Sequence, residues 1–341
     1  MGKSYSYLPL ERKEFQCHIP GTQRFLMQDG ALQDGVVQDG LVQDEGSVSG
    51  LFAPAEGLGS LWRLPDGRVE EAPLQLISLR NATSTNQQSW QNHWEIGRNA
   101  QAKLLVCAHT TGTAAIETTQ ETQIQLAEGA HLELIVMQSE HNAATHRLSF
   151  TVDLARDSFF RCSFVSLHGG GLDNHLELRL NGEGARGELH GLWLTDKTQK
   201  VGFHIGVHHN APHTSSTQLF KGILDDSARG LFEGLIRVAP GAQKTEAYQA
   251  NHNLLLTRES KMFTRPQLEI YADDVKCSHG ATIGRLDEQA LFYLRSRGIP
   301  FKEARLLLQQ AFLQDVLDRI SLPELRNSLA QLVGCRLRGE Y

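Results

Sequence analysis

The sequence predicts a mainly β chain: a β-solenoid core followed by a C-terminal α-helical domain. Three observations carry that expectation. Apolar residues alternate with a period of two from about residue 74 to 285, the alternating runs recur at a nearly even pitch, and residues 286–341 switch to a helical period. A solenoid grows by repetition, which suits many short strands; a β-sandwich or cupin barrel is the competing reading of the same alternation.

Residues 1–73 read as a short irregular N-terminal segment. A tandem pentapeptide begins at Met27, Leu32, Val37 and Val42, each aliphatic residue being followed by Gln-Asp and, in the first three units, Gly. Asp-Gly is a turn signal, so tight turns between very short extended pieces are expected here. The carboxylates at Asp29, Asp34, Asp39 and Asp44 raise the idea of a calcium solenoid, but a five-residue period does not match the nonapeptide repeat that such sites use. Pro54, Gly57, Gly59, Pro65, Gly67 and Pro73 then punctuate a linker-like stretch.

Residues 74–285 form the expected β-helix core. Leu132, Leu134 and Val136 alternate, as do Leu176, Leu178 and Leu180, then Leu192 and Leu194, Ile205 and Val207, Leu219, Lys221 and Ile223, and Leu268, Ile270 and Ala272. Strand centres fall near residues 178, 192, 206, 221, 236, 251 and 270, steps of roughly fourteen to nineteen residues. Inward residues would stack on those of adjacent turns. Gly169, Gly170, Gly171, Gly182, Gly184, Gly187 and Gly191 would serve the corners.

Residues 286–341 read as the helical domain. Asp287 caps a helix ending near Arg297, with Gly298 and Pro300 as stop signals. A second helix from Lys302 to Arg319 carries Ala304, Leu308, Ala311, Phe312, Val316 and Ile320 on one face, widened by Leu306, Leu307, Leu313 and Leu317. Ser321 to Glu324 has the form of a capping box that opens a third helix through Leu325, Leu329 and Leu332.

Composition narrows the function. With 33 Lys and Arg against 39 Asp and Glu, the net charge of −6 offers no basic field for a nucleic acid backbone or an anionic membrane. No apolar run approaches the ~18 residues of a membrane span, and the first residues lack the apolar stretch of a secretory signal, so a cytoplasmic protein is expected. Five cysteines at scattered positions (Cys17, Cys107, Cys162, Cys277 and Cys335) do not suggest a disulfide framework or a closed zinc site. Neither a GxSxG elbow nor a phosphate-binding GxxxxGK[ST] loop occurs, so any ATP would be bound by a partner.

Among the fifteen histidines, adjacent His208 and His209 point to opposite faces of a strand, while His204 and His208 share one without a carboxylate nearby in sequence before Asp225. Asp225-Asp226 and Asp273-Asp274 read as turn residues better than as the paired carboxylates of a carbohydrate-cleaving β-helix. Cys277 and His279 are a sharper pair. Two residues apart on a strand, they lie side by side about 7 Å apart, and can ligate neighbouring metal ions or one cluster edge, with Lys276 and His279 able to lower the thiol pKa. Two ligands do not complete a site, so a second chain would supply the rest.

Three stretches then carry a resemblance: Gln249–Leu256 (QANHNLLL), Pro266–Gly284 (PQLEIYADDVKCSHGATIG) and Asp287–Ile299 (DEQALFYLRSRGI). They resemble the SufB/SufD family of SUF iron–sulfur cluster assembly proteins, and VKCSHGAT with YLRSRG resembles the SufD form within it. The resemblance covers the chain from about residue 230 to 320 and more diffusely from about 80. It implies a right-handed parallel β-helix (solenoid) with a C-terminal helical domain, acting as a non-catalytic scaffold. The implied partners are a SufB-type subunit at the β-helix edge and a SufC-type ABC ATPase, which binds ATP, on the C-terminal helices; the isolated chain would form a homodimer. It further implies a transient iron–sulfur cluster near the SufB–SufD junction, with His279 in the place of a junction histidine of the SufD form and Cys277 beside it. The ATPase would occupy the wide apolar face at 302–319, less whatever packs on the β-helix end. A SufB-like primary cluster scaffold is the nearest alternative, and a β-helix polysaccharide-processing enzyme the alternative of another class. SufD proteins commonly carry a helical region before the β-helix, whereas no helix is expected in residues 1–73 here.

Overall fold

The computed structural model describes residues 22–340 apart from 33–35, 39–40, 44–51, 56–57 and 84–85. Its strands run, in chain order, β1 (Gln23–Gln28), β2 (Ala31–Leu32), β3 (Val36–Gln38), β4 (Leu41–Gln43), β5 (Phe52–Pro54), β6 (Ser60–Leu64), β7 (Leu74–Ala82), β8 (Asn86–Ile96), β9 (Gln101–Gly112), β10 (Ile116–Leu126), β11 (His131–Ser139), β12 (Ala144–Leu154), β13 (Phe159–His168), β14 (Gly171–Leu180), β15 (Arg186–Thr195), β16 (Lys200–His209), β17 (Ser215–Leu224), β18 (Arg229–Val238), β19 (Glu246–Leu255), β20 (Lys261–Ile270) and β21 (Lys276–Gly284). From β7 onward odd-numbered strands pair in parallel in a first sheet and even-numbered strands in a second, so each turn lays one strand on either wall of a flattened β-solenoid of about eight turns. The pitch expected from the sequence was the spacing of single strands; two of them make one turn.

The winding begins before residue 74. β1 pairs in parallel with β7, and β6 with β8, so residues read from sequence as an irregular segment supply strands to both walls. In the first pentapeptide, Asp29 (φ 50°) and Gly30 (φ 80°) form the two-residue turn between antiparallel β1 and β2, as the Asp-Gly signal leads one to expect. The Asp29 carboxylate accepts hydrogen bonds from the Asn81 N–H (2.8 Å) and Gln88 Nε2 (3.2 Å). The other repeat carboxylates, Asp34, Asp39 and Asp44, lie outside the described residues, as does Cys17.

Inward side chains make a continuous aromatic ladder. Phe52 stacks on Trp62 (5.2 Å between ring centroids), and contact then passes through Trp94, Phe150, Phe164, Phe203 and Phe220 to Phe232, each pair 5.0–6.4 Å apart. Bulky rings need vacancies on facing strands. Gly191 and Gly222 lie within strands β15 and β17, where a Cβ would come 2.5 Å from a Phe220 ring carbon and 2.1 Å from Trp193 Nε1 respectively. Gly187 and Gly191 therefore are not corner residues as expected. Several corners instead use Asn99, Asp157, His213 and Lys244 at positive φ, and each N–H there donates to a carbonyl of the following turn.

The first sheet is apolar on both faces, and its outer face meets the helices. Leu105, Ile135, Val165, Leu192, Leu194 and Ile223 pack with the helices α2 and α3 that follow the short α1: α1 is Glu288–Ser296, α2 Phe301–Leu317 and α3 Pro323–Arg338. The buried α2 stripe is Ala304, Leu306, Leu313, Val316 and Leu317, with Ile320 just beyond it; Ala311 is exposed. Packing thus consumes the wide apolar face along the side of the solenoid instead of at its end. Three polar ties fix the helices: Lys221 Nζ donates to the Phe312 carbonyl (2.9 Å) and pairs with Asp315, Arg336 pairs with Asp196 (2.9 Å), and Glu133 accepts from Ser321. Burial would raise the Asp196 pKa, but the hydrogen bond and charge of Arg336 hold it below the usual value. Asp287 caps α1 through the N–H groups of Gln289 and Ala290, as expected. Ser321 makes no capping bond; Leu322 is the N-cap of α3, and Ser321 is committed to Glu133. Among the described residues no helix is long and apolar enough to cross a membrane.

Two predictions follow from this packing. Replacing Gly222 by Ala should destabilise the fold by about 1–3 kcal/mol in urea unfolding, because Trp193 is enclosed; an unchanged midpoint would contradict the packing. His209, inside the solenoid, and His190, beneath the helices, are held neutral: burial, reinforced by neighbouring positive charge, lowers their pKa from 6.5 to about 4 and about 3. The unfolded chain takes up protons first, so stability falls as pH drops from 6.5 towards 4. Urea midpoints at pH 7.5 and 4.5 should differ less in a His190→Gln, His209→Gln variant than in the parent; equal differences would contradict the assignment.

Candidate functional site

The last turn is where the solenoid stops without cover. β20 and β21 end the second and first sheets, and both are edge strands. On β19 the alternation places Ala247, Gln249, Asn251 and Asn253 inward, and the parallel register sets Cys277 on Ala247, His279 on Gln249, Ala281 on Asn251 and Ile283 on Asn253. Cys277 and His279 therefore share the inward face of β21, as the two-residue spacing requires. No further turn lies over them.

The interior changes character on approach to this end. The aromatic ladder gives way to amides: Gln249 Nε2 donates to Gln218 (2.9 Å), Asn251 Nδ2 to the Phe220 carbonyl (3.3 Å), and Asn253 Nδ2 to Asn251 (2.7 Å). Gln249 Oε1, Asn253 Oδ1 and Thr264 Oγ1 are buried without a hydrogen-bond partner among the described residues. Such groups carry a desolvation cost when unpaired, and they occur along the solenoid, at Trp62, Trp90, Ser163 and Trp193 as well as near this end.

Cys277 is half-buried against the cluster of Ile236, Val238, Ala242, Ala247 and Ala272. Burial raises its thiol pKa, opposed by a hydrogen bond with the Ala247 backbone. Activation by Lys276 is thus corrected: Lys276 lies on the opposite face of β21, and its ammonium pairs with Glu246 at 2.7 Å. His279 is exposed, and its ring makes no hydrogen bond among the described residues. The pair offers one protonated thiol and one free imidazole. Among the described residues neither belongs to a group of three potential metal ligands.

Large apolar side chains lie exposed around the same end. They include Phe263 (61%), Tyr271 (56%) and Ile283 (46%) on the last turn, and Phe292 (73%), Tyr293 (57%) and Phe301 (47%) on α1 and the start of α2. No residue of α1 is buried. Sequence reading gave these residues no role of their own, because a strand or helix that has apolar residues at the usual spacing reads as core until its place in the stack is known.

The other sequence candidates separate. Asp226 stands in a turn at φ 46°, accepting from the Lys197 N–H, and Asp273 and Asp274 occupy the bend before β21, so neither pair is an acid/base couple. His208 and His209 do point apart: His208 meets Glu177 outside (2.6 Å), and His209 meets Thr214 and Ser216 inside (2.7 and 2.8 Å). The carboxylates missing near His204 in sequence come from adjacent turns, Asp173 and Glu233. Cys107 and Cys162 are buried.

Comparisons with known proteins converge. The family described as SUF system FeS cluster assembly, SufBD core domain, matches residues 79–312. The chain is similar to the iron–sulfur cluster assembly protein SufD of Escherichia coli (strain K12), 33% identical over 277 residues, covering 80% of this chain and 65% of that protein. It is similar also to a SufBD family protein of Synechocystis sp., 37% identical over 216 residues (63% of this chain, 48% of the relative), and to one of Mycobacterium leprae, 33% identical over 197 residues (55% and 49%). The chain thus spans 65% of the first relative and about half of the other two.

The raised thiol pKa has a measurable consequence. In a Cys17→Ser, Cys335→Ser background, iodoacetamide should alkylate Cys277 more slowly than a free cysteine at pH 7.5, with the rate still climbing above pH 9. A rate that levels off below pH 8 would indicate an activated thiolate and contradict the environment described.

Proposed function

The chain belongs to the SufB/SufD family of the SUF iron–sulfur cluster assembly system, as a SufD-type member, and on that footing we propose that it is a non-catalytic scaffold subunit working by geometry in the cytoplasm. A SufB-type subunit continues the β-structure at the edges of β20 and β21, and a SufC-type ABC ATPase, which binds the ATP, docks on the C-terminal helices. A nascent cluster forms transiently at the junction, with His279 as a ligand, Cys277 as its neighbour and the partner supplying the remaining ligands. Here the cluster is cargo and not a resident cofactor. Without its partner, the same uncovered end pairs with a second copy.

The observation that carries this reading is the coincidence at one place of unpaired strand edges, the exposed apolar side chains Phe263, Tyr271 and Ile283, and the Cys277–His279 pair. Free edges recruit other chains unless covered, so a partner strand is the economical cover. For the ATPase, α1 supports the reading: it packs on α2, where Arg295 lies over the Phe301 ring, but leaves Phe292 and Tyr293 in solvent. Since α2 and α3 are pinned to the first sheet by Lys221, Arg336 and Glu133, movement imposed on the helices by a closing ATPase has a stiff path to the strands.

Mixed at micromolar concentrations, this chain should co-elute with SufB-type and SufC-type subunits from gel filtration; no association would overturn the proposal. His279→Ala should assemble with the same stoichiometry yet yield less cluster on anaerobic reconstitution of the complex. An unaltered cluster yield under limiting iron would remove the ligand role.

A further inference from the structure

The second sheet carries, on its outer face, a cluster that the end-turn scaffold does not use. Side chains that are distant in sequence meet there because successive turns stack in register: His175 on β14 sits beside His204 on β16, which sits beside Glu233 on β18. The two imidazoles are parallel, 4.3 Å apart between centroids and 9° from coplanar. The Asp173 carboxylate reaches both, with Oδ2 3.0 Å from His175 Nε2 and Oδ1 3.2 Å from His204 Nε2. One donor atom from each of the three residues lies within 4.8 Å of the other two, the only such group of three among the described residues.

Two features distinguish this cluster from a chance ion-pair ladder. First, Glu233 lies 2.9 Å from His204 Nδ1, leaving Nε2 directed to the Asp173 side. A carboxylate on the far nitrogen is the arrangement that orients and polarises metal-binding histidines. Second, the position beside Asp173 on β16 is Gly202, where a Cβ would stand 3.2 Å from Asp173 Oδ1 and 3.5 Å from His204 Nε2. A glycine inside a strand costs stability, and this one keeps open the space beside Asp173 Oδ1 and His204 Nε2. Arg147 and Arg265 balance the charge from the periphery, 3.7 Å from Asp173 and 3.2 Å from Glu233, both on exposed side chains.

We propose that Asp173, His175 and His204 form a surface site for a divalent first-row transition-metal ion, with Glu233 as a positioning residue. Two imidazoles and one carboxylate suit Fe²⁺, Co²⁺ or Zn²⁺ better than Mg²⁺ or Ca²⁺, which prefer all-oxygen sets, and the exposed side leaves positions for water. The site stands on a different sheet from Cys277 and His279 and is independent of them.

Co²⁺ is the probe, since its visible d–d absorption reports ligation directly. Titrated anaerobically into the full chain without a histidine tag, Co²⁺ should give a saturable signal at one equivalent. Asp173→Asn and His204→Gln should each weaken binding by at least about tenfold, and Glu233→Gln by about tenfold with an unchanged melting curve. Gly202→Ala, which keeps every ligand but fills the space, should also weaken it. A Cys277→Ser, His279→Ala variant should bind as the parent does. Absence of a saturable signal, equal affinity across the Asp173, His204 and Gly202 variants, or a signal lost only with Cys277 and His279 would overturn the proposal.

Discussion

Every inward side chain of the solenoid is covered by its counterpart one turn before and one turn after. That single constraint organises the rest. It requires parallel registers with a turn of about 29 residues, sets Phe against Phe and Trp along the axis, and turns strand glycines into vacancies for neighbouring rings. It also guarantees a problem at the end, where the last turn has a neighbour on one side only. The chain places amides on the inward face of β19, and Cys277 and His279 with Ala281 and Ile283 on the final inward face of β21.

The helical domain answers a second constraint. A sheet whose two faces are both apolar needs two cores, and α2 and α3 supply the outer one along the side of the solenoid. Polar ties to Lys221, Asp196 and Glu133 fix α2 and α3 at specific turns, while no residue of α1 is buried. These ties couple α2 and α3 directly to the strands of the first sheet.

How much of this was legible in the sequence depends on the distance over which each feature is encoded. Period-two alternation identified the strands around Leu176, Ile205 and Ile223 because side-chain direction along a strand is local. Asp29-Gly30 and the Asp287 cap were legible for the same reason. Register between turns is not local, so the sequence did not reveal that Asp173, His175, His204 and Glu233 converge, and His204 looked bare of carboxylates. Nor did it separate the glycines that turn corners from Gly191 and Gly222, since both have the same local texture. Lys276 next to Cys277 suggested an activated thiol; the pleat sends the lysine outward to Glu246, and burial dominates at sulfur. Cys277 and His279 themselves were legible as a same-face pair, although their position on the last turn required the fold.

The claim on which the account rests is that the final turn is a partner's seat. Amide hydrogen exchange along β20 and β21 tests it most directly, measured on the isolated chain and after addition of a SufB-type subunit. The account predicts rapid exchange at these edges alone and strong new protection confined to β20, β21 and the preceding bend in the complex. Protection appearing elsewhere on the solenoid, with β21 exchanging as before, would contradict it.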